Sequence, residues 1–250
     1  MTREESMLAR RLIDLSGQSD RKGIVTYSDF LNLNEQNIFH TVRSELYGRF
    51  ELYGGYDHAE RQMIAFLPDA LVRPKEYPIV CLHIEPRNRK FAEALTHRDV
   101  LGSLMHLGIE RSKLGDILIK EHEIFVFCHN TIRELIMTEL VRIRHTDVRI
   151  SEFHGDALTI QPKRELINGI ITSNRLDALI AQMCRLSRSQ SGDLIKKGLV
   201  FVNGKETVSI SYSCKPEDII SVRGYGRFRF LQAYGETKKG RIKVEYEKYV

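Results

Sequence analysis

The chain has 250 residues, of which 42% are hydrophobic and 28% are charged, and it contains 17 Gly and 6 Pro. This composition is ordinary for a soluble globular protein and excludes collagen-like and low-complexity chains. No stretch approaches the roughly 20 apolar residues of a membrane helix. Residues 1–15 carry Glu4, Glu5, Arg10 and Arg11 where a secretory signal would be apolar. We therefore expect a cytoplasmic protein without a membrane contact.

The net charge of +5 is concentrated at the C-terminal end of the chain. Residues 173–250 contain 15 Lys and Arg against 8 Asp and Glu, whereas residues 1–172 contain 23 basic and 25 acidic residues. A compact basic module attracts polyanions, because each phosphate that it neutralises releases condensed counterions. Charge alone leaves two interpretations open: a nucleic-acid partner, or lysines that only solvate one face.

Neither the cysteines nor the nine histidines are spaced as a metal site, so we expect neither a metal nor a cofactor. The four cysteines include no C-x-x-C pair, which also argues against a disulfide framework. We expect reduced and mostly buried thiols at Cys81, Cys128, Cys184 and Cys214.

Residues 1–72 are predicted to form a mainly helical N-terminal region. Apolar residues recur at helical spacing near the N-terminus, and a second helix should run from Asp29 or Asn34 to Val42 with Ile38 and Phe39 facing inward. The Gly pair at 54–55 favours a structural turn over a phosphate cradle, because no P-loop Lys-Ser/Thr follows it.

Residues 73–152 are predicted to form a ferredoxin-like, or split βαβ, middle domain. The order strand, helix, two strands, helix, strand is that of this unit. The architecture also houses RNA-recognition modules, but their aromatic consensus is missing, so the fold alone assigns no function. The predicted elements are strand 79–84, helix 98–107, strands 116–119 and 124–128, helix 131–141 and strand 146–150. Residues 153–172, with Gly and Pro among polar residues, are predicted to be a linker.

Residues 173–250 are predicted to form a small αα-β module, which makes the chain an α+β protein. Leu176, Leu179, Ile180 and Met183 give one helix its apolar face. Ser187 and Gln190 form a capping box that begins a second helix, which Gly198 should end. The pair at 203–204, Asn-Gly, predicts a hairpin turn, and strands are expected near 219–223, 227–234 and 241–249.

The polar residues of this module are typical of a surface that binds RNA. The start of the second helix favours an anion through its free N–H groups and its dipole. Tyr225 and Phe228 fit either stacking on unpaired bases or the core of a β layer. The candidate phosphate contacts are Arg188, Lys196, Lys197, Lys205, Arg223 and Arg227; the candidate hydrogen-bonding and turn residues are Ser187, Ser189, Gln190 and Asn203; Arg175 and Asp177 are expected to hold the first helix against the RNA-facing surface.

Short motifs in this module resemble the RNA-binding domain first described in the fourth protein of the small ribosomal subunit. They are 175–177 (RLD), 186–189 (LSRS), 194–200 (LIKKGLV) and 202–205 (VNGK). Two departures, Ser191 and Gly192 within the second helix, should affect stability and not phosphate contacts, since a helical Gly costs around 1 kcal/mol relative to Ala.

Further motifs resemble the YlmH-type RNA-binding proteins of Gram-positive bacteria. They are 54–56 (GGY) with 59–61 (AER), 95–99 (LTHRD) with 101–102 (LG), 107–109 (LGI) through 115–117 (GDI), and 224–228 (GYGRF). The resemblance implies a non-enzymatic factor that binds the large ribosomal subunit obstructed by peptidyl-tRNA, in ribosome-associated quality control. It also implies ribosomal RNA and tRNA as partners, and the middle domain could add a ribosomal-protein contact.

Two other classes of function remain open at this point. One is an RNA-modifying enzyme: 175–177 (RLD) resembles the catalytic aspartate segment of pseudouridine synthases, which often carry the same accessory domain, but here it begins that domain's own first helix. The other is a cell-division interaction protein, a link attached to the YlmH-type family. The cluster His97-Arg98-Asp99 fits either a helix cap with a local salt bridge or a contact with RNA or a ribosomal protein.

Overall fold

The computed structural model describes residues 2–57, 59–68, 76–155 and 164–249. The chain divides into two compact units, Met1–Gln161 and Pro162–Val250. Within the described ranges, no helix is both long enough and apolar enough to cross a membrane.

The N-terminal part of the first unit has the predicted helices and, in addition, a small sheet that the sequence did not predict. Beside the helices α1 (Arg3–Lys22) and α2 (Leu33–Thr41) it contains a three-stranded antiparallel sheet in the order β1-β3-β2. The strands are β1 (Thr26–Tyr27), β2 (Arg49–Tyr53) and β3 (Met63–Leu67). All five residues of β3 are apolar and buried, so the segment shows no alternation from which a strand could be recognised. The prediction for α2 is confirmed, with Ile38 and Phe39 buried.

The middle part of the first unit has the predicted order of elements. They are β4 (Ile79–Pro86), α3 (His97–His106), β5 (Leu114–Lys120), β6 (Glu123–His129), α4 (Arg133–Glu139) and β8 (Thr146–Glu152), with a short β7 (Arg142–Ile143) that pairs with β8. The sheet is antiparallel in the order β5-β6-β4-β8-β7. Val100 and Leu104 of α3 and Ile136 of α4 pack on one face of it with Leu82 and Val126. Helical 3-10 turns lie at Arg43–Glu45, Arg89–Phe91, Arg111–Lys113 and Asn130–Ile132.

The opposite face of this sheet carries the N-terminal part, and the Gly pair at 54–55 makes the approach possible. Tyr56 and Ala59 pack against Phe125 and Phe127 of β6. Gly55 has a φ of 101°, and a Cβ there would lie 2.3 Å from Cδ1 of Phe127. The glycine is therefore required by backbone conformation and by packing, which agrees with the structural turn that the sequence predicted.

Hydrogen bonds fasten the same junction. The Asp116 carboxylate accepts from the Tyr56 hydroxyl at 2.6 Å and from the backbone N–H groups of Glu60 and Arg61 at 2.7 and 3.0 Å. The buried Arg61 side chain donates to the Leu114 carbonyl at 2.8 Å. These residues come from two of the segments that carry YlmH-type motifs, 54–61 and 107–117, which thus meet at a structural junction.

The second unit is one six-stranded antiparallel sheet with two helices packed on one face. The sheet order is β11-β10-β12-β13-β14-β9. The core places Leu179 and Ile180 of α5 and Ile195 of α6 against Val200 and Phe230. The elements are β9 (Arg164–Ile171), α5 (Leu176–Cys184), α6 (Arg188–Lys196), β10 (Val200–Val202), β11 (Lys205–Glu206), β12 (Ile219–Val222), β13 (Gly226–Glu236) and β14 (Ile242–Tyr249).

Strand β9 lies inside the predicted linker, so the linker prediction is wrong for residues 164–171. The strand pairs with β14 over its whole length. Its inward positions include Gly169, where a Cβ would lie 2.8 Å from Cγ of Gln182 on α5. A glycine at a close approach of helix and strand looks like a loop residue in the sequence, which is why the strand was missed.

All four cysteines are free thiols, as predicted. Cys128 and Cys214 are buried, and Cys81 and Cys184 are partly exposed. Burial raises the pKa of Cys184 to about 11 and that of the other three to about 12. The reactive thiolate is therefore scarce at neutral pH.

Candidate nucleic-acid interface

The two helices of the C-terminal unit are joined by an ion pair around Asp177. This carboxylate is 5% exposed at the start of α5. It accepts from Nη2 of Arg188 at 2.7 Å and from Nε of Arg175 at 3.1 Å. Burial opposes its charge, but the hydrogen bonds and charges of both arginines outweigh burial and hold the pKa of Asp177 below its ordinary value.

The Asp177 ion pair changes the role expected of Arg188. The sequence predicted a guanidinium free to bind phosphate, whereas the structure commits its Nε and Nη2 to Asp177 and brings its Nη1 within 3.3 Å of the Thr172 hydroxyl. The side chain remains 48% exposed. Arg188 therefore holds the start of α6 against α5. Arg175 and Asp177 sit at the first turn of α5, where the sequence placed them.

The predicted capping box at the start of α6 is confirmed. The Ser187 hydroxyl accepts the N–H of Gln190 at 3.2 Å, and the Gln190 side chain accepts the N–H of Ser187 at 2.9 Å. The N–H groups of the first two helical residues, Arg188 and Ser189, have no acceptor within a helix. Ser189 is exposed beside them. This turn presents N–H donors and a hydroxyl to solvent, as an anion contact requires.

Three predicted lysines remain available for phosphate. Lys196 ends α6, Lys197 is its C-cap, and Gly198 follows in the left-handed region with φ 67°, as predicted. Lys205 begins β11 opposite Val202, which points to the helix side of the sheet. All three lysines are exposed, and within the described part of the chain they form no ion pair. We refer to Lys196, Lys197 and Lys205 as the helix-side lysines.

The polar side-chain atoms of Asn203 form hydrogen bonds within the fold, in the turn that was one of its two predicted roles. Its Nδ2 donates to Asp218 at 2.8 Å, and its Oδ1 accepts the N–H of Ile219 at 2.9 Å. Its φ of 50° places it in the left-handed turn that joins β10 and β11. The Asn-Gly hairpin is confirmed, and Asn203 shapes it.

Arg223 and Arg227 do not lie with the helices. The Arg223 guanidinium is 5.1 Å from the ring centroid of Phe201, and that of Arg227 is 5.8 Å from the ring of Tyr249. Nε of Arg227 donates to the Ser221 hydroxyl at 3.3 Å. These residues alternate along their strands with core residues and so point away from α5 and α6. The single predicted surface is divided between the two faces of the sheet.

Of the two aromatic residues with open roles, one belongs to the core. Phe228 is 1% exposed, whereas Tyr225 is 42% exposed in the turn between β12 and β13. The residues missed by sequence analysis are Phe201, Tyr249 and Arg164, whose guanidinium is 5.2 Å from the Tyr249 ring. They lie on β10, β14 and β9, which are distant in sequence, so only the strand register places them on one face of the sheet.

In the His97-Arg98-Asp99 cluster, Asp99 forms the capping box of α3 with Thr96. The Thr96 hydroxyl accepts the N–H of Asp99, and the Asp99 carboxylate accepts the N–H and hydroxyl of Thr96 at 2.9 and 2.6 Å. Arg144 lies 3.6 Å from the same carboxylate. This is the cap with its salt bridge that the sequence offered as one interpretation.

Taken with the basic charge of this unit, the helix pair, the Asn-Gly hairpin and the sheet define an RNA-binding protein with a C-terminal S4 domain. Residues 174–220 match the S4 domain family, and residues 73–156 match the family described as "Putative RNA-binding domain in YlmH". The chain is 31% identical over 225 residues to ribosome-associated protein quality control protein P2 of Bacillus subtilis, covering 88% of this chain and 86% of that protein. The chain therefore belongs to the YlmH family, as the sequence motifs indicated.

A solved structure shares the fold. It is the cell division protein ylmH from Streptococcus pneumoniae, which matches with a TM-score of 0.50 and 20% identity over 61% of this chain and 93% of its own.

Proposed function

We propose that this protein is a cytoplasmic, non-enzymatic factor that binds the large ribosomal subunit while peptidyl-tRNA obstructs it, in ribosome-associated quality control. The observation that carries the proposal is the match to the Bacillus subtilis quality control protein over most of both chains. The S4 domain supplies the RNA contact, through the helix-side lysines and the first turn of α6.

The charge distribution supports the assignment of the anchor to the C-terminal unit. The helix-side lysines are exposed cations without carboxylate partners in the described residues, whereas Arg175 and Arg188 are partly neutralised by Asp177. Lysines act as point charges toward phosphate and impose little sequence preference. We therefore expect the protein to recognise the shape of its RNA and not its sequence, with ribosomal RNA and tRNA as the partners.

The carboxylate that lines the cleft of the middle domain fits a structural role. An open cleft of about 530 Å³ is lined by residues that include Asp99, His106 and Arg144. Hydrogen bonds from Thr96 and the charge of Arg144 hold the pKa of Asp99 below its usual range. A general acid or base would need a pKa moved toward neutrality, so this carboxylate fits a cap. Asp177, the other candidate, is bound by two arginines.

Co-sedimentation with large ribosomal subunits, prepared with and without bound peptidyl-tRNA, tests the proposal. We expect the wild-type protein to pellet preferentially with subunits that carry peptidyl-tRNA. The double variant Lys196→Gln/Lys197→Gln should lose most of this binding, because it removes two phosphate contacts without touching the core.

The matched control is Lys238→Gln/Lys239→Gln, which removes the same charge from the exposed turn between β13 and β14. It should bind as the wild type does. If both variants lost the same amount of binding, the effect would be due to net charge alone. If the wild-type protein bound subunits equally with and without peptidyl-tRNA, the proposed preference for obstructed subunits would be wrong.

A further inference from the structure

The outer face of the C-terminal sheet, opposite α5 and α6, carries a row of arginine and aromatic side chains. Backbone register aligns Phe201 with Ser221 and Ser221 with Arg227. Tyr249 is aligned with Arg164 at the other end. With strands about 4.8 Å apart, five strands span about 19 Å. We refer to Phe201, Arg223, Arg227, Tyr249 and Arg164 as the arginine–aromatic row.

Each aromatic ring in the row is in cation–π contact with at least one guanidinium group. Arg223 lies over Phe201 at 5.1 Å, and Tyr249 has Arg227 at 5.8 Å and Arg164 at 5.2 Å. Cation–π contact holds a planar cation at the surface and reduces the freedom that it would lose on binding. The row is therefore a preorganised set of positive, planar groups.

The charges are not all neutralised within the sheet. Glu247 accepts from Arg164 at 3.3 Å, so that cation is paired. Arg223 is exposed and has no carboxylate partner among the described residues. The exposed Tyr225 follows Arg223 by two residues. This end of the row therefore keeps a positive charge next to an aromatic side chain.

We propose that the arginine–aromatic row binds an unpaired segment of RNA, as a second contact on the face of the S4-containing unit opposite the helix-side lysines. Bases stack on aromatic rings and on guanidinium planes, and arginines contact the phosphates. A duplex offers phosphates but no base faces along its length, so the rings select unpaired RNA. The proposal rests on the proposed RNA-binding function and adds a second surface to it.

A tryptophan reporter tests contact at the row directly, since the chain has no Trp. The substitution Phe201→Trp places the only indole beneath Arg223. Titration with a ten-nucleotide oligouridylate should quench its emission in a saturable way. Val208→Trp, at a 63% exposed position outside the row, is the control and should keep its emission. Unchanged emission from the Phe201→Trp variant at saturating RNA would overturn the proposal.

Substitutions that remove positive charge from the arginine–aromatic row test how much that charge contributes to RNA affinity. Arg223→Gln should weaken oligouridylate binding about fivefold, and Arg223→Gln/Arg227→Gln at least tenfold, measured by fluorescence anisotropy. Arg241→Gln removes the same charge in the turn at the far end of β14 and should leave affinity unchanged. Arg223 is exposed, so the single variant stays informative even where the double variant fails to fold.

The two proposals can fail separately. Loss of oligouridylate binding only in Lys196→Gln/Lys197→Gln would overturn the row and leave the helix-side anchor standing. Normal oligouridylate binding at the row, without any binding to ribosomal subunits, would overturn the proposed function and leave the row.

Discussion

At the scale of single residues, Asp177 links the two helices of the C-terminal unit. Replacing Asp177 with Asn keeps the shape but removes the charge that two arginines bind. We expect the unit to lose about 2 kcal/mol of unfolding free energy at pH 7, the order of hydrogen bonds to a charged group. Urea unfolding followed by circular dichroism measures this, and Asp193→Asn, an exposed substitution on α6, is the control.

We also expect Asp177 to make the stability of the C-terminal unit sensitive to acid. Because the pKa of Asp177 is lowered in the folded state, the unfolded chain takes up the proton first as pH falls. Its stabilising contribution is complete above the unfolded pKa of about 3.9 and is lost as pH falls through the lower folded pKa. Wild type should therefore lose more stability than Asp177→Asn between pH 5 and pH 3. Identical pH profiles would mean that the ion pair contributes nothing.

Residue roles were the hardest to predict from the sequence. The residue types of the site were recognisable, yet Asp177 occupies Arg188 and the fold uses Asn203, because partners eleven or more residues away decide which polar groups stay free. Only burial shows that Phe228 belongs to the core and Tyr225 to the surface, since the local sequence pattern is the same for both roles.

At the scale of elements, we expect alanine substitution at two glycines to change stability in opposite directions. Gly55→Ala should destabilise the first unit by about 3 kcal/mol, through contact with Phe127 and a strained positive φ. Gly102→Ala on α3 meets no atom within 4 Å and should stabilise it by up to about 1 kcal/mol. Thermal or urea unfolding of both variants checks the signs. Shifts of the same sign would refute the packing account of the junction.

Elements with local signals were predictable, and elements defined by distant pairing were not. The capping box at Ser187, the left-handed Gly198 and the Asn-Gly turn each have a cause within a few residues, and all were found in place. Strands β3 and β9 were missed because one is uniformly apolar and the other is interrupted by a glycine that packs on α5.

At the scale of the whole molecule, the basic excess and the S4 domain lie in the same unit. The basic excess lies in residues 173–250, which together with β9 form a compact unit of their own. The first unit has near-neutral charge and a fastened joint between its two parts. We infer that the C-terminal unit anchors on RNA while the first unit meets a protein or tRNA surface.

The salt dependence of binding to large ribosomal subunits carrying peptidyl-tRNA tests the central claim most directly. Each lysine–phosphate contact that is lost should reduce the slope of log affinity against log salt by about 1. Lys196→Gln/Lys197→Gln should therefore show a slope smaller by about 2, whereas Lys238→Gln/Lys239→Gln should keep the wild-type slope. An unchanged slope in the first variant would contradict the assignment of the RNA anchor to this surface.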